Sequence, residues 1–165
     1  MITEAVVTLQ ISRTSSKFTD LSLCIKADEE KILSISTAKT PQVSAEDTTL
    51  PKIILETKRQ LQEYLDGTRT TFDIPIDTNS GTEFQRKVWA ALRDIPYGKT
   101  RTYGEIAVAI GTPKGARAVG MGCNKNPILI ITPCHRVIGA SGALTGFACG
   151  LDIKKLLLEI ETVVD

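Results

Sequence analysis

The chain reads as an α/β unit followed by a mostly helical unit, and three observations carry that reading. The first third holds three short runs of strand character and then one helical period. The second half shows repeated helical periods broken by Gly and Pro. Between them lies Asp77-Thr78-Asn79-Ser80-Gly81, a cluster of turn formers that places a boundary between 1–79 and 80–165.

Strands are expected at residues 6–11, 21–26 and 31–36, and a helix at 51–65. In that helix Ile53, Ile54, Lys58, Leu61 and Tyr64 fall close to one face, Pro51 suits a first turn, and Asp66-Gly67 stops it. The second unit opens with a helix over 82–92, where Phe84, Val88, Ala91 and Leu92 recur at core spacing, and Pro96-Tyr97-Gly98 follows as a turn. Further helices are expected at 102–110, ended by Gly111, and at 113–123, opened by Pro113. Two short helices joined through Gly111-Thr112-Pro113 make a helix-turn-helix, a weak sign of DNA binding by itself. The apolar run Ile128-Leu129-Ile130-Ile131 predicts a buried strand or extended segment ending at Cys134, and residues 151–160 form a terminal amphipathic helix.

Composition narrows the class. With 165 residues, 42% apolar content and mean hydropathy close to zero, the chain describes a soluble globular protein. It shows neither a secretory leader nor about 18 consecutive apolar residues, so a cytoplasmic protein without a membrane span is expected. The four cysteines form no CxxC pair and there is a single histidine, which indicates neither a metal site nor a disulfide framework. The net charge of +1 hides an asymmetry: residues 1–79 carry 9 Lys/Arg against 12 Asp/Glu, and residues 80–165 carry 11 against 7. The basic half is the one that holds the helix pair, as a phosphate-facing surface would have it, although a net +4 spread around a whole domain is commonly only a solvated surface.

The chemistry concentrates at Pro133-Cys134-His135-Arg136-Val137, where a thiol stands beside the only imidazole. A free thiol is mostly protonated at neutral pH and needs a neighbour that generates the thiolate. Adjacent residues on a strand point to opposite faces, so a Cys134–His135 partnership requires a turn or a bridging water. On the residues alone, a small buried cysteine next to a chance histidine stands as the alternative.

Around that pentapeptide the chain resembles the O6-alkylguanine-DNA alkyltransferases. The resemblance runs in order through Gly81-Thr82-Glu83-Phe84-Gln85, Val88-Trp89, Ile95-Pro96-Tyr97-Gly98, Thr102-Tyr103-Gly104-Glu105-Ile106-Ala107, Ala116-Arg117-Ala118-Val119-Gly120, Asn126-Pro127 and Pro133 to Val137, over roughly half the chain. It implies a ribonuclease H-like first domain and a winged-helix-like second one. It also implies a monomer that acts without cofactor on double-stranded DNA carrying O6-alkylguanine, entered from the minor groove. The alkyl group passes irreversibly to Cys134, one per protein. By the same resemblance His135 and Glu161 activate the thiol through a water, Tyr103 protonates the departing base, and Asn126 braces the turn. Arg117, with Ala116, Ala118 and Gly120 around it, fills the space left by the rotated nucleotide. Trp89, Val137, Phe147, Ala148 and Cys149 form the base pocket. Phe147 stands where the family commonly has tyrosine, and Cys149 replaces a usual glycine at the rim. Met121 and Asn124 also depart from the pattern in the recognition helix. A non-reacting damage-binding protein of the same fold lacks the acceptor cysteine, and a cysteine hydrolase needs a direct Cys-His contact and an oxyanion hole.

Overall fold

The computed structural model describes residues 1–13, 17–38, 49–145 and 149–162. It divides into two compact units, Met1–Asp77 and Thr78–Asp165, two residues from the expected boundary.

In the first unit, β1 (Thr3–Gln10), β2 (Asp20–Ala27) and β3 (Ile32–Thr37) form an antiparallel sheet in that order, with Thr3 opposite Ala27 and Gln10 opposite Asp20. Alternation decides the faces: Ala5, Val7 and Leu9 of β1 and Leu21, Leu23, Ile25 and Ala27 of β2 are buried, while the residues between them are not. Helix α1 (Lys52–Leu65) covers this apolar face with Ile54, Leu61, Tyr64 and Leu65. Each such side chain contributes about 1.5–3 kcal/mol on burial. Two local expectations change. Pro51 is the N-cap rather than a first-turn residue, and the inner face takes Thr57 and Gln60 in place of Lys58. Thr57 satisfies its hydroxyl within the helix, on the Ile53 carbonyl at 2.7 Å, and Gln60 accepts from the Asp73 N–H of the returning chain at 2.9 Å, so both buried polar groups have partners.

The second unit is built on α2 (Glu83–Arg93), α3 (Tyr103–Ala109), α4 (Ala116–Asn124) and α5 (Leu151–Thr162), with core residues that include Val88, Leu92, Ile106, Val119, Leu157 and Ile160. Helices α2 and α3 each start with a capping box, Thr82 with Gln85 and Thr102 with Glu105. The T-x-x-E/Q spacing satisfies otherwise unpaired first-turn N–H groups and fixes both starts. Helix α4 begins three residues later than Pro113, because Gly115 first closes a turn onto the Thr112 carbonyl at 2.8 Å and becomes the N-cap. Gly122 lets α4 approach α2, where an added Cβ would lie 3.4 Å from Val88.

The run 128–131 is not a strand. It turns on itself, with Thr132 N–H bonded to Ile128 O at 3.1 Å and Ile130 at φ 72°. An apolar run buried on all sides carries no period that separates strand from turn. Cys134–Arg136 then form a single 3-10 turn, followed by β5 (Val137–Ile138), which pairs in parallel with β4 (Arg101–Thr102). Two-residue strands leave no alternation to read, which is why this ladder is absent from the sequence expectation.

Candidate active site

The chain enters the 3-10 turn through Pro133 at φ −85° and ψ 67°, and Cys134 N–H bonds to Thr132 O at 2.9 Å. Three residues per turn direct Cys134 and His135 to different sides without sending them to opposite faces, which meets the need for a local turn. Asn126 braces the thiol: its Nδ2 donates to Thr132 O at 2.8 Å and to Cys134 Sγ at 3.2 Å, and its Oδ1 accepts from Ile128 N at 3.0 Å. Cys134 is 5% exposed. Burial pushes its pKa up to about 11, against the lowering effect of the Asn126 hydrogen bond and the Lys154 charge, so the resting group is a thiol.

His135 and Glu161 are both buried and meet at 2.6 Å through Nε2 and Oε2. Burial lowers the His135 pKa and the Glu161 hydrogen bond opposes that, so the ring is neutral at pH 7. Arg136 donates to both carboxylate oxygens, at 2.8 Å and 3.1 Å, and to Ile95 O at 2.7 Å. Gly98 adds its N–H to Glu161 Oε1 at 3.1 Å from φ +76°, a backbone conformation that favours glycine. The ring of Tyr97 lies 5.8 Å from the Arg136 guanidinium carbon, and its hydroxyl donates to Ile160 O at 3.3 Å. The end of α5, the 3-10 turn and the Pro96-Tyr97-Gly98 turn are thus locked together through one buried carboxylate.

A cleft of about 480 Å³ opens where α3 and α4 meet. Tyr103, Arg117, Gly120, Ala116 and Asn124 line it from the helices, and Ala140 and Thr145 from the loop after β5. Arg117 and Ala118 are exposed, and Gly120 faces the Tyr103 ring at ordinary contact distance, 3.8 Å from an added Cβ. Tyr103 donates its hydroxyl to Thr145 O at 2.8 Å, and burial raises its pKa.

Of the expected base pocket, Val137 is buried beside Cys134 and Cys149 is half-buried, near enough for its charge to raise the Cys134 pKa. Trp89 is placed elsewhere: it is 6% exposed, donates Nε1–H to Gly122 O at 2.9 Å and abuts Gly81, so it packs α2 to α4. Phe147 and Ala148 lie outside the described residues. Sequence reasoning missed Lys154, which is buried and donates Nζ to the carbonyls of Val137 and Thr145, the latter at 3.0 Å. Its signal was present: Lys154, Leu157 and Glu161 share one helix face at i, i+3, i+7, so a lysine sits on the inward stripe. Among the described residues no group of three or more His, Cys, Asp or Glu side chains could hold a metal ion, and no helix is long and apolar enough to cross a membrane.

Residues 83–163 match the family model described as 6-O-methylguanine DNA methyltransferase, DNA binding domain. The helical unit is therefore of the kind that forms the DNA-binding domain of such methyltransferases. Over 106 residues, 64% of this chain and 67% of the relative, the sequence is 60% identical to the methylated-DNA–protein-cysteine methyltransferase of Methanosarcina acetivorans. Two crystal structures from Mycobacterium tuberculosis extend the likeness to the first unit. That of OGT in complex with DNA gives a TM-score of 0.76 at 43% identity over 86% of each chain. That of O6-methylguanine methyltransferase gives 0.75 at 40% identity over 95% of this chain and 93% of the other. The chain belongs to the methylated-DNA–protein-cysteine methyltransferase family.

Proposed function

We propose that this methyltransferase rotates an O6-alkylguanine, chiefly O6-methylguanine, out of duplex DNA and takes the alkyl group irreversibly onto its own Cys134. The observation that carries the reading is the convergence of a buried, Asn126-braced thiol with a neutral His135 that holds Glu161 through Nε2. With Nε2 engaged, Nδ1 is the ring atom that accepts the thiol proton, through one water, as the thiolate attacks. The Sγ–carbon bond forms as the carbon–O6 bond breaks, and guanine leaves with the bonding pair. Tyr103, at the mouth of the same cleft, exchanges its bond to Thr145 O for one to guanine N3 and delivers a proton there, which stabilises the leaving base. No tetrahedral oxyanion forms, so the site needs no oxyanion hole.

Arg117 occupies the stack from the minor-groove side while the nucleotide is extruded. Extrusion costs a few kcal/mol of stacking and pairing, which an inserted planar cation partly offsets. Ala116, Ala118 and Gly120 keep the surrounding helix surface low enough for close approach to the duplex. Val137, Phe147, Ala148 and Cys149 belong to the base pocket in this reading, and Trp89 supports it only through the α2–α4 contact. The relative whose structure was solved with DNA supports DNA as the partner. The first unit is of the ribonuclease H-like type and the second of the winged-helix-like type. The protein works as a cytoplasmic monomer without cofactor. Because a thioether is not hydrolysed under mild conditions, each molecule acts once.

The test is intact-protein mass after incubation with a duplex containing one O6-methylguanine, followed by peptide mapping. A single added methyl on Cys134, saturating at one per protein, is expected. Tight binding to that duplex without mass gain would replace this function with damage sensing, and a methyl on Cys123 or Cys149 would move the acceptor.

A further inference from the structure

A single exposed apolar side chain needs no explanation by itself, and Met121 is singled out by its place. It is 66% exposed, more than any other large apolar residue among the described ones except Met1. It stands on α4, the helix that carries Arg117. Val119, Gly122 and Cys123 turn the inner side of that helix to the core, and Arg117, Gly120 and Asn124 turn another side to the cleft. At 3.6 residues per turn Met121 falls beside Arg117, one turn further along and away from the buried stripe. Lys125, also exposed, follows after one more turn, directly beyond the helix.

The charge around this apolar strip has one sign. Between Glu105 and Asp152 the sequence holds no Asp or Glu. Lys114, Arg117 and Lys125 are exposed, and no described carboxylate pairs with any of them. Unmatched cations around an apolar centre complement a partner with charged rims and an uncharged floor between them, which describes a groove of duplex DNA with its two phosphate edges. Met121 lies about 6 Å along the helix axis from Arg117. Successive base pairs are about 3.4 Å apart, so the two side chains address positions within about two pairs of each other.

We propose that Met121 is a specificity-determining contact: its thioether side chain packs on the minor-groove floor beside the nucleotide that Arg117 replaces, and it favours A·T over G·C in the adjoining pairs. The proposal rests on the reading that α4 enters the minor groove during base extrusion. The preference follows from what each pair presents there. Both kinds of pair offer acceptors, but G·C adds the guanine N2 amino group, which raises the floor and brings one more donor. A thioether is a weak acceptor, so an amino group covered by Met121 is left poorly bonded, whereas an A·T floor admits the side chain closely. The gain is apolar contact rather than phosphate neutralisation, and it therefore adds affinity without adding to the salt dependence. Long unbranched methionine adapts to a floor whose shape varies with sequence.

The decisive experiment uses the full chain with Cys134→Ser, which blocks transfer, alone and combined with Met121→Ala, Met121→Leu or Lys125→Ala. Fluorescence anisotropy gives the affinity for two duplexes that carry one O6-methylguanine and differ in the two pairs on each side of it, all A·T or all G·C, from about 50 to about 200 mM salt. Met121→Ala is expected to bind the A·T-flanked duplex about three- to tenfold more weakly, with a smaller loss on the G·C-flanked one, and Met121→Leu is expected to keep most of the affinity. The A·T to G·C affinity ratio thus shrinks by about threefold in Met121→Ala. Easier extrusion from A·T surroundings is common to both proteins and cancels in that comparison. The slope of log K against log salt stays unchanged in Met121→Ala, while Lys125→Ala lowers it by about 1. Equal affinities and an equal ratio in Met121→Ala overturn the proposal, and so does a loss that is the same on both duplexes. If the Cys134→Ser protein binds neither duplex, the DNA reading fails and the Met121 contact fails with it. If it binds both while Met121→Ala changes nothing, the contact alone is refuted.

Discussion

Replacing Glu161 by glutamine tests the buried network where its parts depend on one another. The carboxylate accepts hydrogen bonds on both oxygens: Oε1 from Gly98 N and Arg136 Nε, and Oε2 from His135 Nε2 and Arg136 Nη2. A glutamine whose oxygen takes the Oε1 place keeps the first two. Its NH2 then faces Arg136 Nη2, donor against donor, and His135 Nε2, which must become an acceptor. Arg136 is left as a poorly paired buried cation, a situation that costs about 3–5 kcal/mol. The histidine is driven to the tautomer that carries its proton on Nδ1, the atom that receives the thiol proton in the proposed transfer. The corresponding tautomer error in Ser-His-Asp triads costs about 10⁴ in rate. Urea unfolding of Glu161→Gln is expected to show the stability loss, and single-turnover transfer, with protein in excess over methylated duplex, is expected to slow by about 10²–10⁴-fold. A folded Glu161→Gln protein transferring within threefold of wild type would falsify the role given to His135 and Glu161. An unchanged urea midpoint would contradict the burial of the Arg136–Glu161 pair.

Cys134→Ser removes the thiol but leaves the cleft, so methyl transfer disappears while gel-shift affinity for methylated duplex stays within about threefold, a difference under 1 kcal/mol. Arg117→Ala alters an exposed side chain and is expected to change stability by no more than about 0.5 kcal/mol, while slowing transfer from duplex DNA more than from free O6-methylguanine. Equal slowing on both substrates would remove Arg117 from base extrusion. Stability itself should form a dome against pH. His135 is held neutral by burial below its ordinary pKa of 6.5, so the unfolded chain binds more protons and stability falls as pH drops below that value. Cys134 and Cys123 are held protonated to about 11 and about 12, so above the ordinary thiol value of 9.0 the unfolded chain binds fewer protons and stability falls again. Each group contributes at most about 1.4 kcal/mol per pH unit within its window. Denaturant midpoints across pH, with Cys134→Ser flattening the alkaline limb, provide the check.

Several elements of the fold were legible because their signals are local. The alternation of Val7, Leu9, Leu23 and Ile25, the stripe of Ile54, Leu61 and Tyr64, and the T-x-x-E/Q starts at Thr82 and Thr102 all encode elements within a few residues. Cys134 and His135 stood out by chemistry. The segment 128–131 misled because uniform apolar character reports burial without geometry, and the turn there depends on Ile130 in a left-handed conformation. Trp89 shows the limit of transferring a pocket residue by order alone, since its indole N–H is spent on Gly122 O, 33 positions along the chain.

The sequence by itself determined the order of the three long strands and the five α-helices, the two-part division of character, and the thiol–imidazole pair, because these follow from period, turn chemistry and residue type over short stretches. Tertiary structure alone decided which charges meet in the dark interior. Glu161 receives Arg136 and His135 from 25 and 26 positions away and Gly98 from 63, and Lys154 reaches Val137 from 17. A lysine or glutamate on a helix defaults to water. Only packing of α5 against the Cys134 turn removes that water, and removing it is what lets the Glu161 carboxylate act on His135 and the Lys154 charge on Cys134.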